Sequence, residues 1–190
     1  MNLFVRLVAL VFVGSTSVVA AQSPRLSIEL GGGHEITNGE HYAHNYNQYF
    51  SATAALRVAQ VNGIGLQLIG TQTVSGSGDF VAGFGCFPDP KTGPCPVART
   101  DASGTRTTLG IAAERPMFRF LALRAGASVG WFGGSNTLGS GAHAYPVFAE
   151  AIVPLIPHLA AFGTLETTYL HDLGGDDITM RAQWVGLRIF

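Results

Sequence analysis

The stretch FLALRAGASVGWF, Phe120–Phe132, sets Leu121, Leu123, Val129 and Trp131 on one parity and Arg124, Gly126 and Ser128 on the other. Side chains that divide with a period of two belong to a strand, because successive Cβ atoms point to opposite faces of a sheet. The apolar parity reads like a core face, yet the other parity carries a charge among small residues. Which face meets the surroundings decides the fold.

Seven further segments repeat the pattern. Leu26, Ile28 and Leu30 oppose Ser27 and Glu29, and Phe50, Leu56 and Val58 oppose Ser51, Thr53 and Arg57. Ile64, Leu66 and Leu68 oppose Gln67 and Thr71, and Leu109 and Ile111 oppose Arg106, Thr108 and Glu114. Tyr145, Val147 and Val153 face away from Glu150, and Leu159, Leu165 and Tyr169 from Thr164 and Glu166. In the last segment Ile178, Met180, Trp184 and Phe190 are read as one face and Arg181 and Gln183 as the other.

Short connections fall near 60–63, 116–119 and 154–158, and longer ones at 37–47, 75–104, 133–141 and 171–176. Long loops thus follow odd strands and short turns follow even ones, as in an antiparallel meander with all its long loops at one end. No repeat, coiled coil or charged linker interrupts it, so the chain reads as one domain.

Composition favours lipid over water outside. Charged residues are 12% of the chain, about half the usual share of a soluble domain, and glycine supplies 25 of 190 residues, nearly twice its usual share. The net charge of −1 gives no reason to expect a nucleic-acid partner. Residues 1–21 have the parts of a secretory signal peptide: Arg6, an apolar run from Leu7 to Val13, and Ala20 and Ala21 at an A-x-A-like cleavage site. That run is short for a membrane anchor, and no later apolar stretch approaches the ~20 residues a spanning helix needs. Residues 22–190 are therefore expected to cross a bilayer as strands.

Eight strands of this length fit a tilted crossing, and an open sheet in lipid would leave unpaired N–H and C=O groups at its edges, so first and last strands must join. The expected fold is all-β: an eight-stranded antiparallel up-and-down transmembrane β-barrel. The charged parity then faces the lumen, with Glu29, Arg57, Arg106, Glu114, Arg124, Glu150, Glu166 and Arg181 as four acids and four bases. An eight-stranded barrel is only wide enough for its own side chains, so these charges should pair and plug it.

The layout, the N-terminal signal and the terminal Phe190 together resemble the small bacterial outer-membrane barrels, the eight-stranded OmpA-like and OmpX-like proteins, over residues 22–190. The resemblance implies an outer-membrane location, a surrounding of outer-membrane lipid, and recognition of the C-terminal strand by the outer-membrane assembly machinery, with Phe190 outward in the aromatic girdle as the assembly signal. Arg188 departs from it, standing where an outward apolar residue is usual. There it would snorkel to the headgroups at a cost of ~0–1 kcal/mol.

The loops hold the remaining candidates. Cys86 and Cys95, nine positions apart in GCFPDPKTGPC, read as a disulfide worth roughly 2–3 kcal/mol, since the spacing fits no CxxC motif and the chain reads as exported. Phe80, Phe84 and Phe87 around it suit a cap over the barrel mouth or an adhesive surface for an extracellular partner. His41, His44 and Glu40 are of the types that ligate zinc or copper, but nothing fixes their geometry, so no metal or other cofactor is expected. His143, with Ser140 nearby and Glu150 and Glu166 on the lumen parity, has the residue types of outer-membrane lipid A deacylases. The His-x-Ser-Asn pattern is absent, because Ala144 and Tyr145 follow His143, and no enzyme is expected.

The function expected is thus a monomeric, non-catalytic barrel with a structural or surface-interaction role. Two alternatives stand beside it: a narrow pore for small solutes or apolar molecules, and a soluble periplasmic barrel of lipocalin type, which requires Leu66, Leu123 and Val129 inside and the charges outside.

Overall fold

The structure, a computed structural model, describes residues 26–38, 46–75, 79–82, 98–101, 104–134, 141–173 and 176–190. Its strands are β1 (Leu26–Asn38), β2 (Tyr46–Val61), β3 (Ile64–Ser75), β4 (Asp79–Ala82), β5 (Ala98–Asp101), β6 (Gly104–Phe118), β7 (Leu121–Gly134), β8 (Ala142–Ile156), β9 (Leu159–Leu173) and β10 (Asp176–Ile189). Eight of them close a barrel in the order β1-β10-β9-β8-β7-β6-β3-β2, while β4 and β5 pair as a separate hairpin within the longest loop. Every barrel pairing is antiparallel, including β1 with β10, where Glu29 stands opposite Arg188 and Leu30 opposite Leu187.

The short turns cluster at one end, as the sequence spacing predicts. Asn62 and Gly63 both take positive φ, 50° and 79°, which is the type I′ geometry whose twist matches a hairpin. All three tight hairpins carry a register shift just before the turn, at Arg57/Ala59, Pro116/Phe118 and Pro154/Ile156. Proline lacks a ladder donor, so two of these bulges sit where a missing N–H costs least. Across the β6–β7 pairing, a Cβ on Gly130 would overlap the Thr107 carbonyl oxygen, so only glycine fits so tightly coiled a sheet there.

Alternation places the apolar parity outside. Leu109, Ile111, Val129, Val147 and Leu165 are exposed, at 71, 67, 60, 58 and 54%. Leu66 and Val129 face outward, which overturns the lipocalin alternative. Among the described residues the interior holds three apolar clusters as well as charge. Phe132, Leu170, Ile178 and Met180 pack towards the long-loop end, Tyr49, Ile152, Phe162 and Trp184 through the middle and below, and Ala55, Ile69, Ala112 and Phe148 along the opposite wall.

The last strand corrects the sequence reading. Ile178, Met180, Ala182, Trp184 and Arg188 are buried in the lumen, whereas Arg181, Gln183, Val185, Leu187 and Ile189 face out. Arg181 is therefore not a lumen charge, and Arg188 is not an outward residue at the headgroups. Phe190 is half-buried against the cluster of Tyr49, Phe162 and Trp184 rather than outward in a girdle, and its N–H donates to the His158 carbonyl at 3.2 Å. The physical reason is space. Gly31 on β1 leaves the room that the Trp184 and Phe162 rings fill, since a Cβ there would come within 2.9 Å of Trp184 Cδ1.

Candidate functional site: the charged lumen

Seven of the eight expected lumen charges point inward, namely Glu29, Arg57, Arg106, Glu114, Arg124, Glu150 and Glu166, and Arg188 takes the place given to Arg181. Sequence reasoning missed Arg188, Glu35 and Arg115, which are buried too. Glu35 was legible by parity, because it continues the odd-numbered face of β1 beyond Glu29.

The register assembles the main network near the short-turn end. Glu114 and Glu150 are the two cross-strand neighbours of Arg124, and Glu29 is that of Arg188. Across the lumen Arg124 Nη2 reaches Glu29, and it donates to Glu150 Oε2 at 2.9 Å. Gln67 bridges by its amide, accepting from Arg124 Nη1 at 3.3 Å and donating to Glu114 Oε2 at 2.9 Å. Arg188 Nη1 donates to the same carboxylate oxygen at 2.5 Å, while its Nε donates to Ser27 Oγ at 3.1 Å and lies 3.3 Å from Glu29 Oε1. Arg57 pairs with Glu114 Oε1 at 3.5 Å, and Thr164 donates to Glu150 at 2.8 Å. Glu29, Arg57, Gln67, Glu114, Arg124, Glu150, Thr164 and Arg188 come one from each of the eight barrel strands.

A smaller network lies towards the long loops. Arg106 pairs with Glu166, donates to Thr168 Oγ1 at 2.5 Å and to the Tyr49 hydroxyl at 3.4 Å, and Thr168 donates to Glu166 at 2.8 Å. Arg106 stands 6.0 Å from the Tyr49 ring centre, and Arg124 stands 5.6 Å from that of Phe148. These rings complete the desolvated surroundings of the guanidinium groups, where attraction of a cation to the aromatic face is strongest.

Between the networks lies a void of about 20 Å³ lined by Glu29, Thr108, Arg124, Phe148, Glu150, Glu166 and Trp184. That volume admits about one water, and the lining offers carboxylates and hydroxyls to hold it. The arrangement locks eight strands to one another through charge-assisted bonds.

Glu40, His41 and His44, Phe84, Cys86, Phe87 and Cys95, and Ser140 lie outside the described residues. His143 is exposed on the outer wall, away from the inward carboxylates of Glu150 and Glu166. Among the described residues no group of three or more His, Cys, Asp or Glu side chains is placed to hold a metal ion.

A closed eight-stranded meander, apolar outside and charge-paired inside, is the fold of the small bacterial outer-membrane barrels. Among solved structures the chain is similar to Neisserial surface protein A, with a TM-score of 0.56 at 9% identity over 87% of this chain and 97% of that one. It also matches the attachment invasion locus protein Ail of Yersinia pestis, with a TM-score of 0.49 at 13% identity over 86% of this chain and 97% of that one. No protein-family model matches the chain, and no curated protein sequence does.

Proposed function

We propose that the chain is a non-catalytic protein of the bacterial outer membrane, a monomeric barrel with a structural or surface-interaction role and a lumen closed by paired charge. The observation that carries this reading is the convergence of one side chain from every barrel strand on a single ion network, beside a void of only about 20 Å³. A conducting path needs a continuous file of waters, and opening one here means parting Arg124 from two carboxylates at once. Unpaired buried charges are costly enough to hold that gate shut.

The outward apolar band supports the membrane half of the proposal, because a contiguous apolar surface of this extent in water invites aggregation. On this reading residues 1–21 direct export, outer-membrane lipid surrounds the wall, and the strand ending in Phe190 is what the assembly machinery recognises. The long loops, with the β4–β5 hairpin and a Cys86–Cys95 disulfide, offer the surface for an extracellular partner.

The test is refolding followed by electrical recording. Residues 22–190 refolded in detergent are expected to run on a gel with a heat-dependent shift in mobility, and to give no steady current steps in a planar bilayer. Discrete conductance in most insertions would replace the plugged barrel with the narrow pore. A monodisperse protein in plain buffer would remove the membrane altogether.

A further inference from the structure

On the outer wall near the long-loop end, β7 to β9 display a belt of polar aromatics that the lumen does not use. Trp131, His143, Tyr145, Tyr169 and His171 all face outward and are exposed. Register makes neighbours of them: Trp131 stands opposite His143, His143 opposite His171, and Tyr145 opposite Tyr169. Directly opposed residues on antiparallel strands have Cβ atoms about 4.5–5.5 Å apart, a spacing from which two exposed imidazoles can turn onto one common ion.

The rings are also oriented. His171 Nδ1–H donates to Asp177 Oδ1 at 2.7 Å, and the Tyr169 hydroxyl donates to the other oxygen of that carboxylate. A proton held at Nδ1 leaves Nε2 as the nitrogen of this ring that can ligate a metal ion. This carboxylate-behind-imidazole arrangement is the one that fixes tautomer and raises basicity in metal-ligating histidines. His171 stacks on Tyr169 at 16° with ring centres 6.4 Å apart, and His143 meets Trp131 edge-on at 4.9 Å. Both imidazoles are exposed near the long-loop rim, and on the membrane reading proposed above they stand among interfacial aromatics, where water completes a coordination sphere.

We propose that His143 and His171 form a two-imidazole site for a divalent transition metal ion, copper(II) or zinc, on the outer rim of the barrel, with Asp177 as the residue that positions His171. Imidazole suits these ions, and copper(II) binds nitrogen ligands most strongly of the first-row divalent metals. Two protein ligands leave the remaining positions to water, so binding is exchangeable rather than structural.

Trp131 supplies the readout, because it touches His143 and copper(II) quenches nearby indole fluorescence. The barrel is refolded in detergent and titrated with copper(II) chloride, each variant being checked by its heat-dependent gel shift. The expected result is saturable quenching at one ion per chain, lost on Trp131→Phe and blocked by prior addition of zinc, which is redox-silent and does not quench. His143→Ala and His171→Ala are each expected to abolish it, and Asp177→Asn to weaken the midpoint about 10-fold or more. Quenching that persists in both histidine variants, or that disappears on His41→Ala/His44→Ala instead, would overturn the proposal.

Discussion

Replacing Arg124 with Met is expected to cost the barrel about 3–5 kcal/mol, since removing one partner of a buried ion pair leaves its counter-charge uncompensated. Met conserves most of the side-chain volume, so the loss is electrostatic rather than a cavity effect. Arg124 neutralises Glu29 and Glu150 together, and both carboxylates are buried. Glu29 keeps Arg188 at 3.3 Å, but among the hydrogen bonds described Glu150 retains only the Thr164 hydroxyl. The double variant Arg124→Met/Glu150→Gln should therefore recover part of the loss, because it removes the orphaned charge. Urea unfolding of the barrel in lipid vesicles, followed by intrinsic fluorescence, measures all three proteins. Arg188→Met should resemble Arg124→Met, as Arg188 holds Glu114 and Glu29. Arg181→Met is the control: its side chain is exposed on the outer wall, and the change should fall within about 0.5 kcal/mol. Equal losses at Arg181 and Arg188 would contradict the register of β10.

That control marks the place where the sequence misled. In seven strands charge decides parity, because a lone Arg or Glu among apolar residues sits on the face away from lipid. In β10 the pattern crosses over. Ile178, Met180 and Trp184 are apolar on the even face, while Val185, Leu187 and Ile189 are apolar on the odd one. Taking a large aromatic as an outward anchor puts Trp184 outside and pulls Arg181 in with the lumen charges. The glycine run Gly31–Gly33 carried the opposite signal, since a strand without side chains leaves an unfilled interior for its neighbour to occupy. The alternation of Val185, Leu187 and Ile189, and Arg188 between them, said the same.

Other parts were legible for simpler reasons. Closure, strand number and the placing of short turns follow from alternation length and from the cost of unpaired backbone in lipid. The network itself was legible only as a list of charges. Which carboxylate meets which arginine depends on register and on chords across the lumen, such as Arg124 to Glu29, 95 residues apart. The apolar plug around Phe132, Leu170 and Met180 was hidden because an apolar residue on the inner parity looks, in sequence, like an error in the alternation.

The outer wall offers a test with an effect nearly as large as that of the lumen. Ile111 lies at the middle of β6 and is 67% exposed, between Leu109 on its own strand and Leu68 across the β3 pairing. If lipid surrounds this band, Ile111→Arg places a guanidinium near the bilayer midplane and should destabilise the barrel by ~2–4 kcal/mol. The same change at Thr105, six residues nearer the long-loop end of the strand and also exposed, should cost only ~0–1 kcal/mol, because the side chain reaches the headgroups. This depth dependence separates lipid from water. In water both positions are equally solvated, and exchanging an exposed isoleucine for arginine is near neutral for stability and favourable for solubility. The comparison is made by urea unfolding in vesicles, with the two variants refolded side by side. A loss at Ile111 that exceeds the loss at Thr105 by ~2 kcal/mol or more is the signature of a wall embedded in hydrocarbon. Equal, small losses would mean that the apolar band faces some other cover than lipid.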